Sequence, residues 1–254
     1  MRIDLNSDLG EVYGPWRMGD DAAMLDLVSS ANIACGGHAS DPDTMFATLK
    51  AAVARGVGIG AHPGYADREG FGRRIIPMQP DQISRMIAAQ VGSLQGVAAL
   101  AGAELRYVKP HGALYNLASD DRAVAQAIVS AVAALPGRLA MLAMPGSELA
   151  LAAEAAGLRV FAEIFADRAY LPNGRLAPRG MPGAVLHDPE TVARRLLDVL
   201  DSGLMPVLDG APIHMPADSV CIHGDNPAAV AVASLLRHRL TEAGATIAPF
   251  LAAP

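Results

Sequence analysis

The sequence predicts a single-domain α/β protein built on a parallel sheet. Three observations carry this. Short apolar runs alternate with longer Ala-, Leu- and Arg-rich segments of helical character seven or so times along the chain, the pattern of strands joined by crossover helices. The 254 residues suit one α/β domain, and no linker or internal repeat divides them. Hydrophobic residues make up 52% and charged residues 18%, which supplies one large core and excludes disorder as the main state. The pattern fits an open doubly wound sheet or a closed barrel and leaves that choice open.

The expected strands are residues 3–6, 31–34, 57–61, 105–108, 139–143, 159–163, 205–208 and 220–222, with a last short run at 246–247. Helix starts are marked between them. Asp41 stands before Pro42, an N-cap followed by proline at the first helical position, for a helix through residue 54. Pro80-Asp81 opens a helix through residue 100, Ser119-Asp120-Asp121 one through 134, Asp188-Pro189-Glu190 one through 200, and Asn226-Pro227 one through 243. Gly56, Gly102, Gly157, Gly203 and Gly244 follow helical runs, where a left-handed residue ends a helix cheaply. Residues 166–187, rich in Pro, Gly and Arg without a period, read as a long loop or lid.

Twenty basic against 26 acidic residues give a net charge of −6, and only 11 residues are aromatic, so neither a phosphate-tracking surface nor a base-stacking platform is expected. The acids of the first eleven residues do not suit a signal peptide, and no stretch approaches the roughly 18 apolar residues of a membrane span, so a cytoplasmic protein is expected. Two distant cysteines, Cys35 and Cys221, are too few for a disulfide framework.

Titratable residues recur just past the carboxyl ends of the expected strands: Asp8 and Glu11, His38 and Asp41, His62, Asp67 and Arg73, Lys109 and His111, Asp167 and Arg168, Asp209, then His223 and Asp225. In parallel α/β folds the βα loops converge on that edge and build the site. Asp4, Asn6 and Asp8 alternate and so share a face. Lys109 is one of only two lysines and ends an apolar strand beside His111, where burial and neighbouring charge would tune it. Glycines around Arg73 and Arg74 suit a clamp on a carboxylate or phosphate. Cys221 reads as packing, His214 between prolines as a loop residue, and Glu163 with Asp167-Arg168 as a structural ion pair or catalytic groups alike. No phosphate-cradling P-loop, dinucleotide-binding glycine motif, serine elbow or zinc-finger spacing is present. Asp/His/Lys chemistry remains, either metal-assisted hydrolysis or general acid–base work on an amide or related bond.

These residues lie in segments that together resemble the LamB/YcsF family, read as the A subunit of ATP-dependent 5-oxoprolinase. The segments are Asp4-Leu-Asn-Ser-Asp-Leu-Gly-Glu11, Ala31-Asn-Ile-Ala-Cys-Gly-Gly-His38, Ile59-Gly-Ala-His-Pro-Gly-Tyr65, Gly70-Phe-Gly-Arg-Arg74, Val108-Lys-Pro-His-Gly-Ala-Leu-Tyr-Asn116, Glu163-Ile-Phe-Ala-Asp-Arg-Ala-Tyr170 and Ile222-His-Gly-Asp-Asn-Pro227. They span almost the whole chain in order. Two departures stand out: Ser7 where the family usually has Cys, and Gly37 where it usually has Phe.

The resemblance implies a seven-stranded β/α barrel akin to sugar deacetylases, in one domain over residues 1–254. It implies conversion of 5-oxo-L-proline, ATP and water to L-glutamate, ADP and phosphate, in a complex with subunits B and C. On that reading Asp8, His62, Lys109 and His111 are catalytic, with Asp8, His62 or His111 as base. Asn6, His38, Arg73, Arg74, Tyr115, His223 and Asp225 contact substrate, with Arg73 or Arg74 taking its carboxylate. By fold analogy a divalent metal would be held by Asp8 and two of His38, His62 and His111. Two other readings stay open: a self-sufficient metal-dependent amidohydrolase or sugar deacetylase, and a non-catalytic subunit that captures the lactam.

Overall fold

The computed structural model describes residues 1–14, 16–224 and 229–251. Seven parallel strands close on themselves: β1 (Arg2–Leu9), β2 (Ser30–Ala34), β3 (Gly58–His62), β4 (Tyr107–Val108), β5 (Ala140–Ala143), β6 (Val160–Phe165) and β7 (Ser219–Cys221). Each pairs with the next, and β7 returns to β1 with Asp4 opposite Ser219 and Asn6 opposite Cys221. The sheet is therefore a closed barrel, in one domain, which decides what the hydrophobic pattern left open. Eight helices among the described residues surround it: α1 (Asp21–Leu25), α2 (Pro42–Ala54), α3 (Pro80–Ala101), α4 (Gly112–Asp120), α5 (Arg122–Ala134), α6 (Glu148–Ala155), α7 (Pro189–Ser202) and α8 (Ala229–Glu242). None is long and apolar enough to cross a membrane.

The helix signals act as their chemistry dictates. The Asp41 carboxylate accepts from the Thr44 amide ahead of Pro42, and Asp188 accepts from Thr191 ahead of Pro189, each satisfying a donor that the first turn leaves without a partner. Gly102 and Gly203 end α3 and α7 in the left-handed conformation. Ser119 and Asp120 do not open a helix, however; they finish α4, and Asp121 alone caps α5 by accepting from Ala123 and Val124. The start expected at Asn226-Pro227 lies outside the described residues.

The run at 205–208 is not a barrel strand. Only Leu204–Met205 is extended, paired antiparallel with Ile213–His214, and Val207 bridges to Tyr170. Pro206 lacks the N–H that a central strand must donate, and the chain crosses to β7 instead. Asp209, which the pattern places near the carboxyl edge, and the loop residue His214 are accordingly exposed and outside the cavity described below.

The two ends of the barrel are closed differently. At the amino end, β8 (Thr246–Ile247) pairs with the start of β1, and the chain beyond it packs Phe250 and Leu251 against Tyr107, Ala140, Leu142 and Phe161. At the carboxyl end the loop 166–187 folds over the rim. Buried Arg168 ties it together, donating to the carbonyls of Ala177 and Ala184.

Candidate functional site

The face of β1 that carries Asp4, Asn6 and Asp8 points into the barrel, and its upper part meets a lysine. Lys109 follows β4, is 2% exposed, and sets its Nζ 3.0 Å from Asp8 Oδ1 and 2.8 Å from Glu163 Oε1. It also donates to Asn6 Oδ1 at 3.3 Å and Cys221 Sγ at 3.1 Å. The Glu163 contact is close as an ion pair but is not aligned as a hydrogen bond. The other oxygen of Glu163 accepts from the Tyr115 hydroxyl at 2.9 Å, and Asp8 Oδ1 also accepts from Asn32 at 2.8 Å. Burial alone would depress the ammonium, but Asp8, Cys221 and Glu163 around it hold Lys109 well above its ordinary range. Burial pushes the Asp8 carboxyl up; His62 and Lys109 override it and hold it well below the usual range. Both groups are therefore ionised at neutral pH.

Beside this pair three imidazoles converge on Glu11. His62 Nδ1 lies 2.7 Å from the Lys109 carbonyl, which can only accept, so that nitrogen carries the proton. His111 Nε2 likewise donates to the Phe71 carbonyl at 2.8 Å. The remaining nitrogens, His62 Nε2 and His111 Nδ1, face each other at 3.0 Å. Glu11 Oε1 lies 3.0 Å from His38 Nε2, 3.3 Å from His111 Nδ1 and 3.9 Å from His62 Nε2. His38 stacks flat on His111 with ring centroids 3.7 Å apart, and its Nδ1 is buried without a partner. Burial pushes the His38 imidazole down to about 3 and, with His38 and His62 beside it, holds His111 well below the ordinary range.

The loop 70–72 makes this packing possible. Phe71 is left-handed, with φ +53°, a strained choice for a non-glycine residue that aims its carbonyl at His111. Gly72 has φ +61°, and a Cβ there would stand 2.8 Å from both His111 Cδ2 and His38 Cβ. The two sequence departures are absorbed locally. Ser7 donates its hydroxyl to the Ile222 carbonyl at 2.7 Å. Gly37 lies under the Gln90 amide, which brackets the main chain of Gly64 from both sides.

A cavity of about 450 Å³ opens above the lysine, within the roughly 300–1,000 Å³ range of small-molecule sites. Asp8, His62, Lys109, His111, Tyr115, Arg73 and His223 all line it, so most expected site residues come together. His223 is oriented by Asp167, 2.9 Å from its Nδ1. The others fall elsewhere. Arg74 turns outward, largely exposed and held by Asp67, so it does not reach the cavity. Asn6 and His38 sit behind the lining, supporting Lys109 and His111 respectively. Asp225 lies outside the described residues. Asp167 and Arg168 do not serve as a pair with each other: the first orients His223 and the second staples the loop. Burial pushes the Cys35 thiol up to about 12, so it stays protonated and is no nucleophile.

Two residues matter more than the sequence suggests. Glu11, marked only by its position after β1, is the carboxylate on which the imidazoles converge, a place expected for Asp8. Asp8 gives its Oδ1 to Lys109 and Asn32, and its Oδ2 lies 3.3 Å from His62 Nε2. Glu163, open between structural and catalytic readings, is fully buried against Lys109. The three arginines Arg168, Arg175 and Arg179 from the 166–187 loop add to Arg73 on the cavity wall.

The chain is thus a closed β/α barrel with a buried, ion-paired lysine beneath an arginine-lined cavity of small-molecule size. The sequence matches the LamB/YcsF family over residues 3–253, and the chain belongs to that family. It is 53% identical to the 5-oxoprolinase A subunit 3 of Pseudomonas syringae pv. tomato over 98% of this chain and 97% of that one. It is 51% identical to the 5-oxoprolinase A subunit of Rhodopseudomonas palustris strain CGA009 over 98% and 99%. The crystal structure of the lactam utilization protein from Thermus thermophilus superimposes with a TM-score of 0.92, at 43% identity, covering 98% of this chain and 99% of that one.

Proposed function

We propose that the chain is the A component of an ATP-dependent 5-oxoprolinase, opening the lactam ring of 5-oxo-L-proline to L-glutamate together with partner subunits B and C. The observation that carries this is the Lys109–Asp8 pair, ionised and buried at the cavity floor, in a chain about half identical over its full length to proteins bearing that name.

The chemistry fits the pair. A lactam carbonyl is a poor electrophile because the ring nitrogen delocalises into it. Asp8, held well below the usual carboxylate range, is ionised but is a weak base. A weak base suits water attack only on a carbonyl activated beforehand, which is the role of ATP here: phosphoryl transfer to the lactam oxygen with release of ADP. Water then adds to the ring carbon and Asp8 accepts its proton. The Lys109 ammonium stabilises the charge on the oxygens of that carbon. Expelling phosphate would restore the lactam, whereas protonating and expelling the ring nitrogen opens the ring, so the fate of ATP depends on where the proton goes. The acyl phosphate left by ring opening gives glutamate and phosphate on hydrolysis. Arg73 is placed to hold the substrate carboxylate.

The test is glutamate release from 5-oxoproline by the purified chain, with and without ATP and with and without subunits B and C. Glutamate only with ATP and both partners is the expected result, and Asp8→Asn lowers that rate by about 10²–10⁴-fold. The imidazole cluster favours one second reading, a metal-dependent amide hydrolase acting alone; turnover by the isolated chain without ATP would establish it.

A further inference from the structure

The imidazole cluster contains a conflict that its hydrogen bonds do not resolve. In the neutral rings, His62 Nε2 and His111 Nδ1 each present a lone pair, because the opposite nitrogen of each is committed to a carbonyl. They meet at 3.0 Å, where two lone pairs repel unless a cation lies between or beside them. A proton on His62 Nε2 would satisfy that contact and the approach of Asp8 Oδ2 at 3.3 Å. It would leave unexplained why His38 Nε2 and Glu11 Oε1 point to the same spot, all four donor atoms lying within 4.8 Å of one another.

The spacing discriminates between the two. Two donors about 2.0–2.1 Å from a common tetrahedral ion stand about 3.3 Å apart. Four of the six separations here are 3.0, 3.0, 3.3 and 3.9 Å, and all lie within 4.8 Å. We propose that Glu11, His38, His62 and His111 form a binding site for a first-row divalent transition metal of the zinc class. Three imidazoles and a single carboxylate suit that class rather than magnesium or calcium, which take mainly oxygen ligands. The carbonyls of Lys109 and Phe71 are the outer partners that fix ring orientation at such sites. His62 and His111 also line the cavity, so the ion would sit at its wall; with four protein ligands it would be a closed site that fixes the rings and adds positive charge beside the cavity. The carboxylate ligand is Glu11, whose oxygen is within reach of all three imidazoles; Asp8 pairs with Lys109 through Oδ1 and reaches His62 Nε2 with Oδ2 at 3.3 Å.

This proposal does not depend on the reaction, and its test need not use turnover. The chain, stripped by dialysis against a chelator, is titrated with zinc and with cobalt(II), counting bound metal by mass spectrometry and reading the cobalt d–d bands. One equivalent per chain with a tetrahedral cobalt spectrum is expected. Glu11→Gln and His111→Gln lower zinc affinity by at least about 100-fold, above the range of outer-sphere losses. His38→Gln loses least of the ligand variants, because its ring has no orienting acceptor. Asp8→Asn keeps one equivalent. Circular dichroism identifies any variant that fails to fold, and for those the wild-type titration and cobalt spectrum decide. Folded wild type that takes up no stoichiometric metal, with nitrogen NMR showing one proton shared by His62 and His111, overturns the site. So does zinc binding unchanged across the folded ligand variants. A folded chain that takes up no metal but still yields glutamate with ATP and its partners removes this site and leaves the lactam reading intact.

Discussion

Asp4 and Asp8 lie on the same strand, four residues apart, on the same face, and both are buried. Their chemistry is opposite. Asp4, near the amino end of the barrel, faces hydroxyls: Ser29 donates at 2.6 Å, Ser30 at 2.7 Å, and Ser219 donates to its second oxygen. Burial outweighs these neutral donors and pushes its carboxyl up from 3.8 to about 6. Asp8, near the carboxyl end, faces Lys109 and His62, and their charge drives it the other way. Dipoles alone do not compensate for removing a carboxylate from water, whereas a cation at 3.0 Å does. The barrel interior thus grades from a layer that favours neutrality to a layer that holds charge. The second layer opens on the cavity.

The largest effect comes from breaking the charged layer. Lys109→Met leaves Asp8 and Glu163 buried without their cation, a loss of about 3–5 kcal/mol for a broken buried pair. Urea unfolding at pH 7 reads it. Removing the charges together, as Lys109→Met with Asp8→Asn and Glu163→Gln, should regain most of that loss. A triple variant no more stable than the single one would mean that the lysine stabilises by packing, and the contrast between the layers would fail.

The neutral layer gives the next effect, and its sign is opposite to that of an ordinary paired carboxylate. Asp4 has a higher pKa folded than unfolded, so below pH 3.8 its proton is bound in both states and no penalty exists. As pH rises from 3.8 through about 6 the unfolded chain ionises first and native stability falls, by roughly 3 kcal/mol for a rise of that size. Asp4→Asn removes this slope. The stability of Asp4→Asn relative to wild type should therefore climb between pH 4 and pH 7 and stay level above that. The difference between the two urea curves isolates Asp4, because every other group titrates in both proteins. Parallel curves would place the Asp4 carboxyl back in its ordinary range.

This gradation is half legible in the sequence. Alternation puts Asp4, Asn6 and Asp8 on one face, and the rarity of lysine with its place after an apolar strand marks Lys109. Strand–helix alternation locates the barrel strands, while the apolar run at 205–208 passes for one more until Pro206 is weighed against it. Barrel closure is not legible from periodicity, because the register of β7 on β1 is a long-range fact. α4 is hidden because it starts directly after His111 with no side-chain cap, so no start signal precedes it. Glu11 is hidden for a related reason: its partners His38, His62 and His111 come from the ends of three different strands, and no local spacing encodes that meeting. Arg74 reads as a ligand clamp because glycines lie close by, but Asp67, seven residues earlier, captures it.

Tyr115 sharpens the comparison most finely, because it acts on the group between the two layers. Glu163 pairs with Lys109 through Oε1, while its backbone is in register with Ser219, the hydroxyl that donates to Asp4. The hydrogen-bond donor to its Oε2 is the Tyr115 hydroxyl, at 2.9 Å and buried. Tyr115→Phe keeps the ring and its edge contact with Phe165 and removes only that donor. A hydrogen bond to a buried charged group is worth about 1.5–3 kcal/mol, so urea unfolding at pH 7 should show a loss in that range, smaller than that for Lys109→Met. The same change in a Glu163→Gln background should cost less, since a neutral amide oxygen needs the donor less than a carboxylate does. Equal losses in both backgrounds would show that Tyr115 stabilises through its ring alone, and that Glu163 draws its compensation from Lys109 without help.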